Sequence, residues 1–111
     1  MNKKHSIEIL PINYEILFNA LQPIRYKYND GSSNRYHTGF IAQMVKDAID
    51  LSNLSTLDLA ALTIQDEGTE NELWGLRYEE FVALNTWQIQ KLKTRVAELE
   101  TQLAEIKEKL K

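Results

Sequence analysis

Few residues of this chain combine the type and spacing that do chemistry. His5 and His37 stand 32 residues apart, with no carboxylate or thiol at ligand spacing. They read as surface or structural histidines rather than metal ligands. Asp66, Glu67, Glu70 and Glu72 crowd one short stretch, which raises calcium as a ligand. Their spacing does not match an EF-hand loop, so they read as a solvated turn and no metal is expected. There is no cysteine, which excludes a disulfide framework, a thiol nucleophile and a zinc–thiolate centre. Phosphate loop, dinucleotide fingerprint and nucleophile elbow are all missing, so no cofactor is expected. Of the glycines Gly31, Gly39, Gly68 and Gly75, two fit loops and two fit strands. Ser6 lies near Lys4, but an i, i+2 pair on an extended segment points to opposite faces. That pair is weak as nucleophile and base.

Size and charge narrow the field further. The 111 residues suffice for one small domain and one long helix. A head of that size has a marginal core, so association would help it. With 13 basic and 16 acidic residues the net charge is −3. That gives no reason to expect nucleic acid or an anionic membrane as partner. No run approaches the ~18 apolar residues of a membrane span. Met1-Asn2-Lys3-Lys4 is basic but leads into no apolar core, so it does not read as a signal peptide.

The elements that must position these residues are short until the last third. Residues 7–10 look extended and close at Pro11. Asn13 can cap a helix over residues 14–21, with Ile16, Leu17, Ala20 and Leu21 on its apolar face. Pro23 ends it. Residues 24–28 alternate as a half-buried strand, and residues 30–34 form a turn cluster. Residues 35–41 read as the returning strand of a hairpin. A helix over residues 43–51 follows, with Met44, Val45, Ala48 and Ile49 on one face. Residues 56–62 fit either a short helix or an irregular segment. Residues 61–65 and 72–78 flank the acidic stretch as a second hairpin with an exposed tip at 66–71. The expected class is α+β: a head with two β-hairpins and short helices over residues 1–78, then a long helix over 79–111. Glu79 and Glu80 in its first turn suit the positive end of the helix dipole. No linker separates the two, which predicts a head rigidly registered on the helix.

That helix is periodic. From Ile89 the apolar residues Leu92, Val96, Leu99, Leu103, Ile106 and Leu110 follow in alternating steps of 3 and 4, a heptad seam that Val82 begins. Its 33 residues make a rod roughly 50 Å long. So narrow a stripe needs partner helices. Val82, Ile89, Val96, Leu103 and Leu110 are a positions; Tyr78, Asn85, Leu92, Leu99 and Ile106 are d positions. Early layers pair a β-branched a with Leu at d, which favours two strands. Late layers pair Leu with Ile, which favours more. Asn85 at d would be a polar layer that fixes register and strand number. Arg95 and Glu100 can pair between parallel neighbours, and Trp87 lies off the seam.

Three segments together carry a resemblance: Leu21-Gln22-Pro23-Ile24-Arg25-Tyr26-Lys27-Tyr28, then His37-Thr38-Gly39-Phe40-Ile41-Ala42-Gln43, then Trp74-Gly75-Leu76-Arg77-Tyr78-Glu79-Glu80-Phe81 running into the coiled coil. The chain resembles the C-terminal intramolecular chaperone domain of phage tail spikes, tail fibres and endosialidases, serine peptidase family 74. The resemblance implies a homotrimer whose long helices bundle as a parallel coiled coil. It implies that the domain registers three copies of the preceding fibre stalk and is then released by autoproteolysis. In the family it resembles, a serine nucleophile, normally followed by aspartate, sits five residues before a lysine base. A lysine, with an ordinary pKa of about 10.4, needs desolvation or cationic neighbours for that role.

Lys4 matches the base, with Lys3 as the alternative. Five residues before Lys4 falls ahead of Met1, so the chain as it stands is expected to be inactive. His37 and Arg77 lie inside the matched motifs and are expected to support the processing site or the subunit interface; alternatively Arg77 covers a strand and pairs with an acid. The expected trimer interface is Val82, Asn85, Ile89, Leu92, Val96, Leu99, Leu103, Ile106 and Leu110. The expected partners are two further copies and the stalk, in a virion tail fibre precursor assembled in the host cytoplasm, with neither nucleic acid nor membrane. The rival readings are a fibre tip that stays attached and touches the host surface, and a cellular membrane-bound regulator carrying the same cleavage module.

Overall fold

A computed structural model describes residues 3–29, 31 and 34–111. The expected turn cluster at 30–34 lies partly outside them: Asp30, Ser32 and Ser33 are not among the described residues. The chain divides into two compact units, one ending at Arg77 and one spanning Tyr78–Lys111.

The first unit contains α1 (Asn13–Ala20), β1 (Ile24–Tyr26), β2 (His37–Gly39), α2 (Ala42–Leu51), β3 (Leu62–Gln65) and β4 (Leu73–Leu76). β1 and β2 pair antiparallel, with Tyr26 opposite His37 and Ile24 opposite Gly39. β3 and β4 form a second antiparallel pair, with Leu62 opposite Leu76 and Ile64 opposite Trp74. The α+β class and both hairpins therefore hold. The strands of the first hairpin are shorter than expected: Lys27, Tyr28, Arg35 and Tyr36 lie outside the paired register. Alternation marks the residues able to pair; it does not say where pairing stops.

The core of this unit gathers Leu17 of α1, Val45, Ala48 and Ile49 of α2, and Leu59, Ala61 and Leu62 before and in β3, all buried. Each large aliphatic side chain so buried contributes about 1.5–3 kcal/mol. α2 packs against α1 on one side and against β3 and β4 on the other.

Asn13 does not cap α1. It lies within the helix, and Ile12 precedes it without a side-chain cap. Its Nδ2 instead donates to the carbonyl of Ser52 at 2.9 Å. Ser52 is fully buried, and its Oγ donates to Ile49 O at 2.8 Å. One asparagine thus ties the start of α1 to the end of α2. The undecided stretch before β3 is irregular and held by local bonds. Asp58 Oδ2 accepts from the N–H and hydroxyl of Ser55 at 2.7 and 3.2 Å. Tyr14 donates its hydroxyl to the carbonyl of Asp58.

The second unit begins with a single 3₁₀ turn, Tyr78–Glu80, before α3 (Phe81–Lys109). Glu79 and Glu80 therefore precede the α-helix rather than filling its first turn. Phe81, Leu84 and Gln88 are its buried residues. None of the three α-helices begins on a side-chain cap.

Candidate functional site

α3 carries its uninterrupted 29 residues because they are mostly good helix formers, without Gly or Pro. Thr86, Thr94 and Thr101 each donate a hydroxyl to the carbonyl four residues back, within the helix. Arg95 pairs within the helix with Glu98 at 3.2 Å. Phe81, Leu84 and Gln88 occupy one stripe. The heptad residues occupy another, and all stay exposed. Val82, Ile89, Leu92, Val96, Leu99, Leu103, Ile106 and Leu110 keep between 46% and 81% of their surface. Asn85 is exposed on the same stripe. Ile89, Leu92, Val96 and Ala97, with Lys93 and Glu100 at the edges, line a shallow groove along the rod. Scattered exposed apolar residues are ordinary; a continuous row of them is not. Its spacing is that of knobs and holes.

A second cluster lies on the first hairpin. His37 stacks on its cross-strand neighbour Tyr26, with ring centroids 5.7 Å apart. It meets Tyr28 edge-on at 4.9 Å. Its Nε2 is buried without a hydrogen-bond partner among the described residues. On the opposite face, Arg25 and Lys27 lie over the ring of Tyr36, at 4.0 and 4.7 Å from its centroid.

Lys3 and Lys4 are exposed in the segment before α1, which forms neither helix nor strand. In the same segment Ser6 adopts a left-handed φ of 55°, and its Oγ lies 3.1 Å from His5 Nδ1. Arg77 is exposed just after β4, where its backbone N–H donates to Ala61 O at 2.7 Å. Its guanidinium pairs with no acid among the described residues. Lys4, His37 and Arg77 sit on three different segments of the first unit. Their sequence spacing carries no trace of that separation.

Three features escaped sequence reasoning: the Tyr26–Tyr28–His37 ring cluster, the Arg25 and Lys27 contacts with the Tyr36 ring and the Phe81–Leu84–Gln88 stripe. The first two were detectable in principle, since residues 26 and 28 share a strand face opposite that of 25 and 27. At the second turn, Glu72 accepts from the Trp74 indole and, at 3.1 Å, from Gly68 N. The indole bond first, then the Gly68 bond, holds its carboxyl below the usual range. Burial, then the nearby charges of Asp58 and Glu8, push the Tyr14 hydroxyl up. No group of three or more possible metal ligands converges among the described residues. No described helix is long and apolar enough to cross a membrane.

Against known proteins, a family model described as chaperone of endosialidase matches residues 2–54, a stretch that includes α1, β1, β2 and α2. A crystal structure described as a novel intramolecular chaperone superposes with a TM-score of 0.70 and 17% sequence identity. The match covers 86% of this chain and 98% of that one. At that identity the likeness is one of fold. No curated protein matches.

Proposed function

We propose, starting from a chain whose residues 2–54 match the model of the chaperone-of-endosialidase family, that this protein is an intramolecular chaperone for a phage tail fibre or spike. In this reading residues 79–111 trimerise as a parallel coiled coil, and residues 1–78 hold three copies of a preceding stalk in register. The observation that carries it is the exposed heptad seam of α3, from Val82 to Leu110. A lone helix gains nothing from such a row, and three parallel helices bury it layer by layer. The family match supports the chaperone role, and the fold match supports the architecture.

The processing step belongs to the same proposal. Lys4, or Lys3 in its place, would act as general base for a serine five residues upstream. Both lysines are exposed here. A base role therefore requires that assembly bury the amine or set other cations beside it. That requirement would link cleavage to correct trimerisation. His37, whose buried Nε2 has no hydrogen-bond partner among the described residues, and Arg77, whose guanidinium meets no acid among them, would support the cleavage site or the subunit interface.

Light scattering tests the assembly, with a trimer expected; a monomer at micromolar concentration refutes it. Cleavage is tested in a parent chain carrying the upstream serine. Two bands are expected from that parent and one from its serine-to-alanine variant. A parent that runs uncut would favour a fibre tip that stays attached.

A further inference from the structure

Two sets of charge without an ion pair among the described residues remain on the head, of opposite sign and on different hairpins. Arg25 and Lys27 both lie over the ring of Tyr36, 4.0 and 4.7 Å from its centroid, and Tyr36 is 55% exposed. Lys27 also donates to Asn34 Oδ1 at 3.3 Å. Neither cation forms an ion pair among the described residues. Asp66, Glu67 and Glu70 line the turn between β3 and β4, exposed and likewise without a cation. The turn does not consume these carboxylates to hold its shape. Thr69 Oγ1 donates to the Asp66 carbonyl at 2.7 Å, and Gly68 N to Glu72 at 3.1 Å. Elsewhere opposite charges do meet within the chain, as in Lys46 with Asp50 at 2.6 Å and Arg95 with Glu98 at 3.2 Å.

A closed ring of identical subunits needs two different, mutually complementary surfaces on each copy. These hairpins supply such a pair. We propose that, in the trimer, the Arg25–Tyr36–Lys27 face of one head docks on the Asp66–Glu67–Glu70 turn of a second copy. This rests on the trimeric reading above. The cations stand pre-organised on an exposed aromatic ring, which supplies packing area at the centre of the contact. The acids stand on a turn whose own bonds fix it. Exposed pairs of this kind add little affinity, but they select orientation and respond to salt.

Zero-length carbodiimide coupling of the full chain, using mixed unlabelled and nitrogen-isotope-labelled copies, tests this directly. The expected product joins Lys27 of one copy to Asp66, Glu67 or Glu70 of another, at a yield that falls several-fold in high salt. Arg25→Glu with Lys27→Glu should abolish it. Adding Asp66→Lys and Glu67→Lys to that variant should restore an inter-copy product at the exchanged positions. Light scattering on the same samples separates the two levels of inference. A monomer defeats the trimeric reading itself. A trimer that gives no inter-copy product at these residues, or one insensitive to the reversal, overturns only the docking. In a stalk-bearing parent, a Lys27 product formed with the stalk in place of the turn overturns it as well.

Discussion

Asn13 illustrates how a residue type can be read correctly and its role missed. Its side chain satisfies a backbone group, as a cap would, but the group is the Ser52 carbonyl, 39 residues away. Local sequence favours the cap, and only the packing of α1 on α2 makes the distant carbonyl the better partner. Asn13→Ala should cost the head about 1 kcal/mol in chemical denaturation, since it orphans a part-buried acceptor. Gly68 is a second such point. Its φ of 84° lies in the left-handed region, and no atom crowds the place of a Cβ. Gly68→Ala should therefore cost about 1–2 kcal/mol, through backbone strain alone. Glu72 adds a pH dependence. Its folded-state pKa lies below its ordinary value of 4.5. Its contribution to stability is thus present above that pH and lost as pH falls through the lower, folded-state value. Acid titration followed by Trp74 fluorescence, in a Trp87→Phe background, should show this transition and Glu72→Gln should remove it.

At the scale of elements, α3 was the most legible part, because a heptad repeat over many turns is a strong periodic signal. The hairpins were legible from their turn residues and α2 from its apolar face. The stretch before β3 was not, since its shape depends on Ser55, Asp58 and the hydroxyl of Tyr14, 44 residues from Asp58. Of the candidate site, the seam could be read from spacing. Lys4, His37 and Arg77 could be placed only by resemblance, because no periodicity links three separate segments. Two substitutions test the seam. Leu99→Asp with Leu103→Asp should dissociate the proposed trimer on light scattering, since in that assembly each would bury a charge in an apolar layer. In a stalk-bearing parent they should also stop cleavage; normal cleavage would show that assembly does not gate the chemistry. Asn85→Leu should raise the melting temperature while broadening the distribution of oligomers, because a polar layer trades stability for a single strand number.

For the whole molecule, association and folding are expected to be one equilibrium. A head with so few fully buried large side chains sits near the lower size limit for independent stability. Binding of two further copies to the folded state stabilises it by mass action. The melting temperature should therefore rise with protein concentration; a value independent of dilution would detach the head from the rod. The bare helix starts carry a consequence for the order of events. α1 and α2 have 8 and 10 residues and no side-chain cap, and isolated helices below about 12–15 residues are marginal in water. Neither can persist as a local seed before its tertiary neighbours arrive. In pulsed hydrogen exchange during refolding, the amides of both helices should gain protection in one phase, with no early helical species ahead of it.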